Sequence, residues 1–358
     1  MELKYYVIRR LLLLIPTLLG LLLLTFIMLN ALPQSYLIQQ FIPHKVLSQT
    51  QINNYKTLAI NTLGLNYPTP VQFLIYVNSI IHGNWGYMYP NFSGGTSFYS
   101  GPVLAGILEY FPVTLELAIF AIIFSIILAI PLGTYIGSKP NSTSDQVGRV
   151  FSLSGYAMPT FFLALLLQLI ASPFFPQYIT GQGYPKYTKY SFIQNGVSQP
   201  THMLVFDALL HGDFSLALSA FGHLILPVLA LSYGLLAGLL RFIRAGMVDA
   251  ANQEYVKTAR AKGVPEKQVL KRHIRKNALL PSITVFGLVF SSLLGGVVVI
   301  EEVYGINGLG KFGLSTLANG YIQFFGILGT TLFFGIVLVL ANLIVDILYA
   351  FMDPRIRY

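Results

Sequence analysis

The feature that most limits how this chain can fold is a run of 22 residues, Leu11 to Leu32, without a single charged side chain. The core of a bilayer is about 30 Å thick, and a helix rising about 1.5 Å per residue needs roughly 20 apolar residues to cross it. A signal peptide has a shorter apolar region followed by a small-residue cleavage site, and no such site follows this run. We therefore expect a retained membrane-spanning helix.

Further apolar runs along the chain suit the same role. They are Leu115 to Tyr135, Val150 to Leu169, Leu224 to Leu240, Leu279 to Ile300 and Phe324 to Tyr349. Charged residues make up only 10% of the 358 residues, against about 25% in soluble domains. The sequence thus predicts an all-α membrane protein with six transmembrane helices, and with long loops at 33–108 and 172–222 that include helical stretches such as Val71 to Ile81.

Small residues and prolines predict local features of these spans. Gly133 and Gly137 lie four residues apart, a spacing that allows two membrane helices to pack closely. Pro131, Pro159 and Pro227 fall inside predicted spans, where proline commonly produces a kink.

The distribution of basic residues indicates the orientation. With the N-terminus inside the cell, the inner segments contain 17 Lys and Arg residues and the outer segments contain 5. Inner loops of membrane proteins carry an excess of these residues. Six spans then leave both termini in the cytoplasm and the two long loops outside the cell membrane.

The loop from Arg241 to Pro281 is the most basic part of the chain. It holds ten bases and three acids, and so supplies +7 of the net charge of +9. A narrow stripe of mostly small residues recurs every fourth position, as on one face of a helix: Met247, Ala251, Tyr255 and Ala259. Gly263 stands where a helix C-cap belongs, and Pro265 suits the first turn of a second helix.

The second predicted helix has an apolar side as well as charges placed to suit its dipole. Glu266 lies near its N-terminus, and Arg275 with Lys276 near its C-terminus. The apolar side consists of Val269, Leu270, Ile274 and Ala278. A loop that only fixes topology and touches anionic lipid needs charge but no ordered corner. Nucleic-acid binding fits less well, because the run lacks interleaved aromatic residues.

The stretch KTARAKGVPEKQVLKRHIRKNALLP, residues 257–281, resembles the EAA loop of ATP-binding-cassette importer permeases, in the form used by dipeptide and oligopeptide transporters. Other stretches are similar to the first of that family's two permease subunits: RRLLLLIPTLLG, PVTLELA, MPTFFLAL, GLGKFG and NLIVDILYAFMDPRIRY. Lys257 and Lys276 depart from the general pattern, which has Glu and Pro there. Proline follows only at Pro281, as in the peptide-type branch.

The resemblance implies an organisation and a set of partners. It divides the chain into an N-terminal segment with the first span (1–32), an extracytoplasmic loop region (33–108) and a permease core with five spans (109–358). It implies alternating access driven by separate cytoplasmic ATPase subunits, which use ATP and Mg, while this chain binds no cofactor. A second homologous permease subunit, an extracytoplasmic solute-binding protein and membrane lipid are the further partners. Peptides or oligosaccharides are the implied solutes.

In this family a short helix at the glycine corner docks on an ATPase subunit. The resemblance therefore assigns coupling to eight residues: Tyr255, Ala259, Arg260, Ala261, Lys262, Gly263, Val264 and Pro265. Small residues allow close approach, and the Val264–Pro265 step stiffens the corner. Arg260 and Lys262 are expected to pair with acidic groups on the partner.

Polar groups near the ends of spans are candidates for a gate or a helix interface. A carboxylate at mid-bilayer costs roughly 2.5 to 3.5 kcal/mol, but Glu116 and Asp346 lie near span ends, which favours structural pairing. Asn342, four residues before Asp346, shares its helix face. Gly308 and Gly310 belong to EEVYGINGLGKFG, residues 301–313, which resembles the family's outer turn; a gate and a plain glycine-rich turn both remain open.

Several chemistries lack their sequence signatures. The chain has no G-x-x-x-x-G-K-[ST] phosphate-binding loop, so it is predicted not to be the ATPase. It has no cysteine, and its six histidines show no metal-ligand spacing. An ion-coupled secondary transporter or channel is the alternative function, and it would require an intramembrane ion site for which only Glu116 and Asp346 offer themselves.

Overall fold

A computed structural model describes residues 3–43, 47–89, 99–178, 201–317 and 322–352. Within the helices, the side chains of 280–292 and of Asp346 are among those that lie outside this description. The described chain is mostly helical. One short antiparallel ladder joins β1 (Tyr87–Met88) to β2 (Gly101–Pro102), with Tyr87 opposite Pro102.

The helices, in chain order, are α1 (Leu3–Asn30), α2 (Gln34–Gln39), α3 (Gln49–Leu63), α4 (Thr69–Ile81), α5 (Val103–Ser138), α6 (Thr143–Ala157), α7 (Thr160–Ala171), α8 (Leu204–Leu210), α9 (Phe214–Ala251), α10 (Glu254–Ala261), α11 (Glu266–Gln268), α12 (Arg275–Tyr304), α13 (Leu309–Ser315) and α14 (Phe324–Met352). A 3-10 turn covers Pro176–Tyr178, and a π-helical segment, Val269–Ile274, joins α11 to α12.

Among the described residues, four helices are long and apolar enough to cross a membrane: Ile8–Asn30, Val103–Ser138, Phe214–Ala251 and Phe324–Val345. They correspond to the predicted first, second, fourth and sixth spans. α5 and α9 contain 36 and 38 residues, more than predicted, because the bilayer sets only a minimum length for a spanning helix. The predicted fifth span lies in α12, but most of its side chains fall outside the described residues, so it stays a prediction.

The predicted third span, Val150 to Leu169, is wrong as a single helix. α6 and α7 meet at an angle of 108°, and counting the bent pair as one span would give a fifth crossing. Met158 is extended with ψ 118°, and Pro159 follows with φ −61° and ψ 137°. Proline lacks an N–H group and disfavours helical geometry in the preceding residue, which accounts for the break. Pro131 and Pro227, in contrast, lie within the continuous helices α5 and α9.

The chain divides into two compact units. The first takes its described residues from Met1–Arg9, Thr114–Ile306 and Leu338–Tyr358. Its central element is α9, which packs against α6, α7, α8 and α12. Nineteen residues of α9 are buried, among them Leu239, Ile243 and Met247. α9 is thus the helix around which this unit is built.

Glycines permit the closest helix contacts of the first unit. A Cβ atom on Gly155 of α6 would lie 2.2 Å from the Cβ of Ala237, and one on Gly137 of α5 would lie 2.5 Å from the Cβ of Met247. A Cβ on Gly133 would lie 2.8 Å from Ile243. Side-chain carbons essentially never approach this closely, so the close packing predicted for Gly133 and Gly137 is confirmed.

The second unit consists of Arg10–Val113 and Asn307–Val337. α3 begins at a capping box formed by Ser48 and Gln51, and it ends at Gly64 with φ +68°. α4 confirms the predicted helical stretch in the first long loop. Phe26 of α1 meets Phe73 of α4 and Phe324 of α14 edge to face inside a buried apolar cluster, so the loop region packs against the long helices α1 and α14.

Gly155→Ala tests the importance of this close packing. We expect a loss of about 1 to 3 kcal/mol in stability, because the new methyl group must displace α9. The matched control is Gly295→Ala in α12, where no atom of the described residues lies within 4 Å of the added carbon. The midpoint temperature at which each variant, heated in detergent, loses its monodisperse peak in size-exclusion chromatography measures its stability. Equal midpoints for the two variants would contradict the packing argument.

Candidate coupling site

The basic corner, defined here as Glu254–Ile274, begins with a break after α9. α9 ends at Ala251, and Gln253 is extended with φ −75° and ψ 149°. The predicted stripe from Met247 through Ala259 is therefore wrong beyond Ala251, since the turn changes the helix axis. Tyr255 is 40% exposed, and its neighbour Val256, with 0% exposure, faces inward instead.

The turn after α10 is a complete Schellman motif. The N–H of Gly263 donates to the carbonyl of Arg260 at 2.9 Å, and the N–H of Val264 donates to that of Ala259 at 3.2 Å. Gly263 has φ +74°, the left-handed geometry that glycine adopts without steric cost. Val264 packs on the buried cluster that contains Ala259, which is the apolar contact that accompanies this motif. The predicted helix end at Gly263 is confirmed.

Pro265 is the N-cap of the following helix, with φ −56° and ψ 137°. Its carbonyl accepts hydrogen bonds from the N–H groups of Gln268 at 2.8 Å and Val269 at 3.0 Å. After α11 the chain continues in a π-helical segment, whose i to i+5 hydrogen bonds close a wider turn than in an α-helix. This geometry brings Val269 and Ile274, five residues apart, to the same buried face, at 0% and 2% exposure.

The inner side of the basic corner is apolar and buried. Val256, Ala259, Val269 and Ile274 belong to one cluster with Ala278 of α12, with Ile243 and Met247 of α9, and with Ala129 and Ile136 of α5. Burying an aliphatic side chain such as valine stabilises by about 1.5 to 3 kcal/mol. The corner therefore cannot separate from α9 without exposing several such groups.

An ion pair closes the open side of the corner. The Arg260 guanidinium donates from Nε to Glu266 Oε2 at 3.0 Å and from a terminal nitrogen to Oε1 at 2.7 Å. Arg260 beside Glu266 lowers the pKa of that carboxyl group. Sequence reasoning assigned Arg260 to an acidic group of a partner and Glu266 to the helix dipole, and it missed that they bind each other. A contact between Arg260 and a partner stays a prediction.

The outward face of the corner is small and basic. Tyr255, Ala261, Lys262, Gly263 and Pro265 are all exposed. Among the described residues, no atom lies within 4 Å of the position that a Cβ of Gly263 would occupy. Lys262 makes no ion pair within the described part of the chain. The corner thus presents an exposed turn of small and basic residues.

Glu116, a candidate gate or interface residue, is fully buried in α5. Its Oε1 accepts hydrogen bonds from the N–H groups of Val205 at 2.8 Å and Phe206 at 3.4 Å. These are unsatisfied donors in the first turn of α8, so the carboxylate serves as a cap supplied by another helix. This contact joins α5 to α8, which is a structural role.

The remaining candidates lie in α13 and α14. Gly308 is the N-cap of α13 and Gly310 lies in its first turn, and both are buried. Asn342 is half-buried on α14. Asp346 lies four residues further along the same helix, but its side chain is outside the described residues. A gate at any of these positions stays a prediction.

Sequence reasoning also missed a buried carboxylate at Asp145. Arg244 of α9 donates to it from Nε and, at 2.9 Å, from a terminal nitrogen, while Arg149 donates at 2.5 Å. The side chain of Asp145 has 0% exposure. The spacing of Asp145 and Arg149, four residues on a helix, was a visible signal. The contact between Asp145 and Arg244 spans 99 residues of sequence, and no sequence signal pointed to it.

Residues 129–358 match the family described as the inner membrane component of binding-protein-dependent transport systems. The chain belongs to this family. It is 34% identical over 357 residues to the oligopeptide transport system permease protein AppB of Bacillus subtilis (strain 168), with 99% of each chain covered. It is 32% identical over 361 residues to the dipeptide transport system permease protein DppB of Alkalihalophilus pseudofirmus, again with 99% of each covered.

A third relative extends the likeness to another bacterial group. The dipeptide transport system permease protein DppB of Escherichia coli (strain K12) is 30% identical over 358 residues, which cover 99% of this chain and 98% of the relative. The similarity to an importer permease that sequence motifs indicated is thus confirmed over nearly the full length.

Exchanging the charges of Arg260 and Glu266 tests the ion pair. Arg260→Glu and Glu266→Arg each place like charges together, and we expect up to about fivefold faster hydrogen exchange in residues 254–268, since an exposed pair contributes at most about 1 kcal/mol. The double exchange should restore slow exchange. If the double variant exchanges as fast as the single ones, the pair does not hold the corner.

The same pair gives a pH dependence with a definite sign. The folded pKa of Glu266 is below its usual value of 4.5, so the stabilisation is fully present above pH 4.5 and is lost as the pH falls through the lower, folded value. The amides of the basic corner should therefore be better protected from hydrogen exchange in the wild type than in Glu266→Gln above pH 4.5, and this difference should shrink in acid. Exchange rates corrected for their intrinsic pH dependence measure it. A constant difference would contradict the pair.

Proposed function

We propose that this chain is the membrane-spanning permease subunit of an ATP-driven importer of peptides, working by alternating access. Membership of the binding-protein-dependent family supports the transport role. Relatives named for oligopeptide and dipeptide transport, aligned over nearly the whole chain, support peptides over oligosaccharides as the solute.

We assign six membrane crossings, with α6 and α7 together as a bent third crossing and α12 as the fifth. The surplus of basic residues, 17 against 5, supports cytoplasmic termini and a cytoplasmic position for the basic corner. In this topology residues 33–108 form an extracytoplasmic region next to the solute-binding protein.

The basic corner is proposed as the EAA-type coupling element. The observation that carries this assignment is its two-sided construction: an open, small-residue turn at Gly263 faces outward, while Val256, Ala259 and Val269 are buried against the long helices. A partner protein that binds the exposed face at Gly263 and moves it would also move the buried face that packs on the long helices. Tyr255, Ala261, Lys262 and Pro265 complete the contact surface, and Arg260, Gly263 and Val264 fix its shape.

ATP hydrolysis is assigned to separate cytoplasmic subunits that use ATP and Mg, because the sequence contains no phosphate-binding loop. A second homologous permease subunit completes the translocation path, and membrane lipid surrounds both. The buried carboxylate of Glu116 binds backbone N–H groups of α8, and this structural engagement favours the ATP-driven importer over a gradient-driven carrier.

Reconstitution tests the proposed function directly. Vesicles that contain this chain with its second permease, ATPase subunits and binding protein should accumulate a labelled peptide only when ATP and Mg are present. Replacing ATP by a non-hydrolysable analogue should abolish uptake. Accumulation by this chain alone, driven by a proton or sodium gradient, would contradict the assignment.

Two substitutions at Gly263 separate docking from backbone geometry. Aspartate tolerates the left-handed conformation, so Gly263→Asp keeps the corner but projects a carboxylate into the docking surface, and we expect about tenfold less uptake per ATP hydrolysed. Gly263→Ala adds no charge but incurs about 1 to 2 kcal/mol of backbone strain, and should loosen the corner in hydrogen exchange.

Asn277→Asp is the control, since it adds the same negative charge at an exposed position outside the basic corner. It should leave coupling unchanged. Normal uptake by Gly263→Asp, in protein that reaches the membrane at wild-type level, would remove the corner from the coupling pathway.

A further inference from the structure

Three arginines from two helices converge on one pocket of the first unit. The pocket has a volume of about 220 Å³ and is lined by Arg149, Ser152 and Leu153 of α6 and by Arg241 and Arg244 of α9. Guanidinium groups repel one another, so their convergence calls for anionic compensation.

Asp145 supplies only part of that compensation. It binds Arg244 and Arg149, which leaves an excess of two positive charges among these four side chains. Arg241 lies over the ring of Tyr156, 5.9 Å from its centroid, and it makes no ion pair in the described part of the chain. Because Asp145 holds two of the guanidinium groups in place, the pocket is preorganised for a further anion.

An apolar stripe runs along α6 beside the pocket. Val147, Val150, Leu153 and Tyr156 recur every third residue and are 61% to 67% exposed. Leu153 belongs both to the stripe and to the lining of the pocket. Because each of these residues is turned about 60° from the one before it, the stripe winds around α6. A ligand that fills the pocket therefore meets cationic groups and, at Leu153, part of this winding apolar surface.

We propose that this pocket binds the headgroup of an anionic phospholipid, with an acyl chain lying along the α6 stripe. Arginine matches phosphate oxygens with paired hydrogen bonds, and basic pockets between membrane helices on the cytoplasmic side suit anionic headgroups. The proposal rests on the topology given under the proposed function, which puts Arg149, Arg241 and Arg244 on the inner leaflet side.

The combination of features selects a lipid over free phosphate. Inorganic phosphate would satisfy the charge but would leave the stripe uncovered. A diacyl phospholipid satisfies both, and the headgroup phosphate lies where the stripe meets the pocket, at Leu153. This site is separate from the basic corner, whose residues do not line it.

Native mass spectrometry of the purified permease complex with its ATPase subunits, taken from mixtures of phosphatidylglycerol and phosphatidylcholine, tests the proposal without ATP or transport. The wild type should retain phosphatidylglycerol preferentially. Arg241→Gln should retain about fivefold less, the effect of one basic residue near a membrane surface. Arg241→Lys should keep most of the retention. Arg275→Gln removes the same charge from an exposed residue outside the pocket and should match the wild type.

Leu153→Gln separates the lipid from a free anion, because it disrupts the stripe without changing charge. Reduced retention in this variant, and no displacement by excess inorganic phosphate, support the lipid. The proposal fails if Arg241→Gln retains phosphatidylglycerol like the wild type, if phosphate displaces it while Leu153→Gln has no effect, or if the second permease subunit crosslinks to Leu153→Cys. Each readout is binding, so a failure of peptide uptake would leave this result interpretable.

Discussion

The burial of the basic corner against α9 is the contact on which the first unit depends. α9 packs on four other helices. The apolar cluster at its C-terminal end also contains Val256, Val269 and Ile274. Strongly cationic segments repel themselves and tend to remain solvated. Here the apolar side of the segment outweighs that repulsion, since each buried aliphatic group contributes more than an exposed charge pair.

The sequence was most informative where structure follows from local chemistry. Uncharged runs of about 20 residues predicted most of the spans, because bilayer thickness admits few alternatives. Gly263 and Pro265 predicted the corner, because one residue suits a left-handed C-cap and the other lacks an N–H group. The same reasoning treated Pro159 and Pro227 alike, yet only Pro159 breaks its helix. The chemistry of proline alone does not distinguish the two positions.

The candidate site was predictable in outline but not in its polar contacts. Arg260 and Glu266 lie six residues apart across a turn, a separation at which pairing depends on the corner's geometry. Asp145 and Arg244 lie in different helices and meet only through tertiary packing. The first pair shows that charges which sequence reasoning assigns to a partner or to a dipole can serve to shape the chain. Glu116, for which the sequence favoured structural pairing, does bind backbone N–H groups of another helix.

The π-helical segment has a geometric meaning for α12. A π turn holds one residue more than an α turn, and each residue of an α-helix corresponds to a rotation of about 100°. The backbone of α12 after Arg275 is thus rotated by that surplus residue relative to a continuous α-helix. The wider turn also lets Val269 and Ile274 both reach the apolar cluster. Inserting or deleting one residue at this point would rotate α12 about its own axis, whereas the same change in a loop would be accommodated locally.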